Sequence, residues 1–197
     1  MRNDELAMAA SIGGDGMRDN PLHVRAFGAD GRHREAALGR MFLPVLRQIR
    51  DKGRVLAVEG DGRLVGVCAM APPGRCRLTL RDKLAVIPAI WRGNTLRSTL
   101  SVLQWTGAWE RRHPRAPHWH LGPIAVRRDQ QGRGLGRSLM DAFIAGIGDD
   151  VAYLETDQRE NVAFYEHFGF AVVSEDAVIG VPNWFMQRAG APPPSNS

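Results

Sequence analysis

The chain has 197 residues, 44% of them apolar and 24% charged, with a formal net charge of +5 and two cysteines. That length suits one large domain or two small ones with an ample core, and the composition excludes collagen-like and disordered classes. The longest apolar run without glycine, Leu84 to Trp91, is far too short to span a bilayer, and Met1 to Glu5 hold two acids and no apolar stretch, so no membrane span or secretory signal is expected. Cys68 and Cys76 by themselves build neither a disulfide framework nor a zinc site, and a reducing, cytoplasmic compartment is expected.

The first 32 residues are weakly patterned, and Gly13, Gly14 and Gly16 are expected to interrupt any helix starting near Asp4. A helix is predicted from about His33 to Asp51, with Leu38, Phe42, Val45, Leu46 and Ile49 on one apolar face. Pro44 should kink it or mark a second start. A hairpin follows: Val55–Val58, a turn at Gly60-Asp61-Gly62, and Leu64–Met70. Residues 78–112 read as two helical pieces split at Arg92-Gly93-Asn94, with Leu96, Leu100, Leu103 and Trp105 outlining one face of the second. Their segment is basic: from Arg75 to Arg115 there are nine basic residues and two acids. Such a segment suits a solvated arginine face, a nucleic acid or an anionic small molecule.

A strand is predicted over His118–Val126, with a bulge expected at Gly122-Pro123, a helix over Leu135–Ile147, a strand over Val151–Glu155 and a short helix over Asn161–Phe168. Strands at Phe170–Val173 and Trp184–Gln187 are expected around a turn-rich link at Gly180–Asn183, and residues 191–197 form a Pro/Ser-rich tail expected to be disordered. The alternation of strands and helices argues a mixed α/β sheet in a single domain, 1–190.

The most informative stretch is Gln131-Gly132-Arg133-Gly134-Leu135-Gly136-Arg137, directly after the 118–126 strand and opening a helix. Alternate glycines there expose backbone N–H groups at a helix N-terminus, which makes an anion cradle. A Walker A loop needs a lysine that is absent, and the dinucleotide fingerprint would need glycine at Arg137. The plain alternative is a close-packed strand-to-helix turn.

The order Leu121-Gly122-Pro123-Ile124-Ala125-Val126, then Gln131 to Gly136, then Asn161-Val162-Ala163-Phe164-Tyr165 through Gly169-Phe170 resembles the GNAT superfamily of acyl-CoA-dependent N-acetyltransferases. Trp119-His120-Leu121, Tyr153-Leu154-Glu155-Thr156 and Asn183-Trp184-Phe185-Met186 look most like the puromycin N-acetyltransferase group. The resemblance implies that strands 118–126 and 151–156 splay and that acetyl-CoA, the co-substrate, lies between them. The main chain of Ile124, Ala125 and Val126 would pair with the pantetheine arm. Gln131, Gly132, Arg133, Gly134, Leu135, Gly136 and Arg137 would hold the pyrophosphate, Asn161 and Tyr165 would lie beside the far end of the pantetheine and the thiol, and Phe164 would also contact the cofactor. Nothing before Asp4 can supply the family's usual N-terminal edge strand, so either the strand is lacking or the true start lies upstream of Met1; its loss would expose the next edge and is expected to favour dimerisation or swapping.

Acyl transfer by direct attack through a tetrahedral intermediate needs a base for the amine, a donor for the oxyanion and an acid for the thiolate. By resemblance Tyr165 is the acid; its plain alternative is packing with Phe164 and Phe168. His120 and Glu155 compete as base, beside a water chain or no base at all. His118 and His120 share a strand face, yet no third ligand accompanies them, so no metal is expected. Trp91, Trp105 and Trp109 belong to the core or to an acceptor pocket, with core preferred. A small-molecule primary amine is the expected acceptor. The rival readings are a catalytically silent acyl-CoA sensor, a peptide N-acetyltransferase and, least favoured, a nucleic-acid binder; no membrane partner is expected.

Overall fold

The computed structural model describes residues 1–77 and 79–190. The expected loose tail, 191–197, lies outside the described residues. Helices α1 (Asn3–Met17), α2 (Pro21–Phe27) and α3 (Gly31–Lys52) precede strands β1 (Arg54–Gly60) and β2 (Arg63–Ala71). Helices α4 (Leu80–Trp91) and α5 (Leu96–Arg112) come next, then β3 (Trp119–Val126), α6 (Leu135–Ile147), β4 (Ala152–Thr156), α7 (Arg159–Glu166), β5 (Phe170–Val178) and β6 (Val181–Arg188). One mixed sheet of six strands runs in the order β1-β2-β3-β4-β6-β5. Among the described residues no strand precedes α1, and β1 forms the sheet edge on that side.

Strand alternation divides the core in two. Val67, Ala69, Tyr153 and Phe185 point to the layer holding α1, α3 and α5, while Cys68, Met70, Leu154 and Met186 point to the layer holding α6. Both sets are essentially water-free, so the sheet is buried on its two faces at its centre.

Three local expectations are corrected. The glycines at 13, 14 and 16 do not break α1; it runs through them. They are there for close approach: a Cβ on Gly14 would sit 2.5 Å from the Glu35 carbonyl oxygen, and one on Gly16 would sit 2.4 Å from that of Val126. Without side chains there, α1 lies directly on α3 and on the end of β3. Pro44 leaves α3 unbroken, because the apolar face of Leu38, Met41, Phe42 and Leu46 outweighs the lost backbone bond. The buried stripe of α5 is Ser98, Thr99, Val102, Trp105 and Ala108, whereas Leu96, Leu100 and Leu103 are exposed. At roughly 100° per residue, Trp105 cannot share a face with Leu103.

Helix ends are set by local chemistry. Asp30 Oδ1 accepts from the amides of Arg32 and His33 at the start of α3, at 2.9 and 3.2 Å. Thr79 and Asp82 form a capping box on α4, and Lys52 pairs with Asp82. The 7-residue α2 was not anticipated. It is held by buried Asp157 at the end of β4, whose Oδ2 accepts from the Leu22 amide at 2.7 Å. Strands β5 and β6 are longer than predicted, since the middle of β5 is exposed and lacks apolar alternation.

Candidate active site

Strands β3 and β4 are parallel neighbours for two residue pairs only, Trp119↔Ala152 and His120↔Tyr153. Beyond His120 they diverge, and the β4-facing edge of β3 has no strand partner. On its other side β3 pairs with β2, but the register shifts: Cys68 faces Ile124 while Met70 faces Leu121. The extra residue lies at Gly122-Pro123, as the proline and glycine there predict, and Gly122 takes φ 147°.

The divergence opens a cleft of about 850 Å³. Of the residues predicted for the site, it is lined by His120, Ile124, Ala125, Val126, Gln131, Gly132, Gly134, Leu135, Gly136, Glu155, Asn161, Phe164 and Tyr165. Arg133 and Arg137 are exposed and do not line it. Arg133 bonds Gln130, and the Arg137 guanidinium lies 5.5 Å from the centre of the Phe168 ring. Arg127 and Arg128, at the same loop, pair with Asp129 and Asp19.

The loop geometry follows from its glycines. Gly132 and Gly134 have φ of 74° and 80°, values that other residues rarely adopt, and a Cβ at either would meet open space. Gln131 Nε2 donates to the carbonyls of Val126 at 3.0 Å and Gly16 at 3.3 Å, tying the loop to β3 and α1. Helix α6 has neither a side-chain cap nor an acid in its first turn. Its leading amides are therefore unclaimed by a side chain among the described residues and carry the positive end of the helix dipole at the cleft.

Tyr153 and Glu155 share one face of β4 by the two-residue period. His120 Nε2 lies 2.8 Å from Glu155 Oε2. Burial alone would raise the Glu155 carboxyl, but His120 and His113 together hold it down to about 2. The Glu155 side chain is 4% exposed and that of His120 23%. With Nε2 donating to Glu155, His120 carries its lone pair on Nδ1. Tyr165 is 6% exposed, and burial foremost pushes its hydroxyl pKa upward, so the phenol stays protonated. Asn161 Nδ2 reaches Thr156 Oγ1 at 3.4 Å, fixing the start of α7 against the end of β4.

The far end of the cleft is walled by α3, α4 and α5. Trp105 and Trp109 serve there as both core and lining, with Trp109 Nε1 donating to Asn183 Oδ1 at 3.0 Å. Trp91 is exposed and takes no part. Arg75 and Arg77 of the basic segment also line the cleft. The sequence reading missed Cys76 and His113, which stand beside His118: His113 Nε2 is 3.0 Å from Cys76 Sγ and 3.0 Å from His118 Nε2. His118 therefore stands with Cys76 and His113, two groups of metal-ligating type outside the strand, while His120 stands with Glu155. Burial opposes ionisation of both, but their neighbours prevail: His113 and His118 bring Cys76 down to about 5, and Cys76 with Glu155 raises His113 to about 9.

Residues 23–170 match the Acetyltransferase (GNAT) family, and the chain belongs to that family. Its fold is similar to a Corynebacterium glutamicum structure of the "histone acetyltransferase HPA2 and related acetyltransferase" kind, at 21% identity and a TM-score of 0.72 over 98% of this chain and 96% of that one. It is also similar to the ribosomal-protein-S18-alanine N-acetyltransferase of Escherichia coli, at 14% identity and a TM-score of 0.56 over 100% and 95% of the two chains. An N-acetyltransferase from Staphylococcus aureus Mu50 matches at 14% identity and a TM-score of 0.58, covering 94% and 96%. The family uses acetyl-CoA as its co-substrate. Among the described residues no helix is long and apolar enough to cross a membrane.

Proposed function

We propose that the protein is an acetyl-CoA-dependent N-acetyltransferase that acts on a primary amine of a small molecule. The observation that carries this is a single cleft lined by an unpaired β3 edge and a glycine loop at one end and by apolar helices at the other. The residues fit acetyl-CoA. The unclaimed amides of 132–137 suit a pyrophosphate, and the free edge of Ile124–Val126 suits an amide-bearing arm laid beside it. When bound, acetyl-CoA supplies an activated acyl thioester.

The residues around it divide the proton work. His120, partly exposed and lining the cleft, takes the proton from the attacking amine. Glu155 orients the imidazole and balances the charge that develops on it, so the two former competitors act as a pair. Tyr165, a buried protonated phenol on the cleft wall, gives its proton to the leaving thiolate.

A compact acceptor is favoured by the helical wall. Gln48 Oε1 and Trp105 Nε1 are buried there without a hydrogen-bond partner among the described residues, and both residues line the cleft. Buried polar atoms in that state call for a polar ligand. The aromatic lining suits a flat amine, in keeping with the puromycin N-acetyltransferase resemblance. The test is release of free thiol from acetyl-CoA against aminoglycosides, nucleoside amines, polyamines and short peptides, with mass analysis of the products. A small non-peptide amine should be acetylated. Turnover of peptides alone would move the acceptor to proteins, and no turnover with any amine would favour the silent sensor.

A further inference from the structure

Beside the proposed proton pair lies a cluster that acetyl transfer does not use. It joins three segments: the connection between β2 and α4 carries Cys76, the end of α5 carries His113, and the entry to β3 carries His118. Cys76 Sγ, His113 Nε2 and His118 Nε2 form a small triangle with sides of 3.0, 3.0 and 3.7 Å. Ligand atoms on one face of a tetrahedral zinc ion, with Zn–N near 2.0–2.1 Å and Zn–S near 2.3 Å, stand roughly 3.3–3.6 Å apart. Each side of the triangle is within about 0.6 Å of that shape.

The orientation of the rings adds a second, independent argument. His118 Nδ1 lies 2.7 Å from the Ala116 carbonyl oxygen and must donate its proton there. His113 Nδ1 faces Glu155 Oε1 at 3.9 Å. Each ring thus turns its Nδ1 to an oxygen and its Nε2 to the shared centre, the arrangement that orients zinc-bound histidines. Once His113 is neutral, its Nε2, the Nε2 of His118 and the thiolate all turn lone pairs to that centre, where one cation can meet them. His118 and His113 are buried, and Cys76 is half-buried. One thiolate and two imidazoles select zinc over the oxygen-seeking magnesium or calcium.

We propose that Cys76, His113 and His118 bind one zinc ion through Sγ, Nε2 and Nε2, leaving a fourth position for water. The Cys76 thiol gives up its proton on binding, so the site carries a thiolate and two neutral imidazoles. Cys76 and His113 line the cleft, so the ion would pin Cys76, with the neighbouring Arg75 and Arg77, to the end of α5 and the start of β3. The site stands whether or not the chain transfers acetyl groups.

The test uses the full chain without a polyhistidine tag, stripped with a chelator and dialysed. Zinc is titrated against a chromophoric chelator, and cobalt(II) is added in parallel as a spectroscopic probe. One equivalent of zinc should bind, and the cobalt form should show a thiolate-to-metal charge-transfer band. Cys76→Ser should remove the band and, like His118→Gln, weaken zinc binding at least ~10-fold, while His120→Ala keeps the stoichiometry. The proposal is overturned by three outcomes: stripped protein that takes up no zinc, a cobalt form with no thiolate band, or binding lost in His120→Ala but kept in Cys76→Ser. Circular dichroism of each variant separates lost ligands from lost fold. Should Cys76→Ser not fold, the cobalt band of the unaltered chain and the His118→Gln titration decide alone.

Discussion

The two ends of the cleft are built from different material. One end is backbone: the free edge of β3 and the amides that open α6. The other is side chain, presented by α3, α4 and α5. A backbone wall is indifferent to most substitutions but depends on glycine where φ is positive or approach is close. A side-chain wall can be rewritten residue by residue while the fold persists, so acceptor choice should vary there and cofactor use should not.

The sharpest break in this division is at the chemistry between them. Tyr165→Phe should lower kcat by ~10²-fold or more with acetyl-CoA affinity unchanged, because only the transferable proton is lost. Steady-state kinetics with calorimetry of acetyl-CoA binding checks it; unchanged kcat would return Tyr165 to a packing role. His120→Gln should cost ~10²-fold in kcat and Glu155→Gln ~10-fold, since the second removes only the orienting partner. A larger loss in Glu155→Gln than in His120→Gln would reverse their roles.

Close approach is tested at Gly16, whose added methyl would lie 2.4 Å from the Val126 carbonyl oxygen. Gly16→Ala should cost about 2 kcal/mol in stability, read as a lower denaturation midpoint, and should disturb the cofactor end. At the other wall, Thr79→Ala removes one half of the α4 capping box and should cost about 1 kcal/mol. Leu103→Ala, at an exposed residue that lines the cleft, should leave stability within about 0.5 kcal/mol and shift only the KM for the amine.

The same contrast explains what could be read from the chain alone. The β3–α6–α7 region was legible because its chemistry is local: alternate glycines after a strand, then a helix start, put amides in one place whatever else the fold does. The bulge at Gly122-Pro123 was legible for the same reason. The helical half was harder. Gly14 and Gly16 look like helix breakers until α3 and β3 are seen to need their space. Leu96, Leu100 and Leu103 form a regular stripe, but so do Ser98, Val102 and Trp105, and only tertiary packing chooses between them. The Cys76–His113 contact joins residues 37 apart across a helix pair, and no local pattern announces it. Glu155 and His120 were each singled out, yet their pairing waited on the register of β3 against β4.

The most direct measurement of the central claim is a calorimetric titration of the protein with acetyl-CoA, supported by thermal denaturation with and without it. The account predicts one site with a Kd on the order of micromolar and a midpoint that rises with acetyl-CoA concentration. An absence of heat and an unmoved midpoint at saturating acetyl-CoA would contradict it.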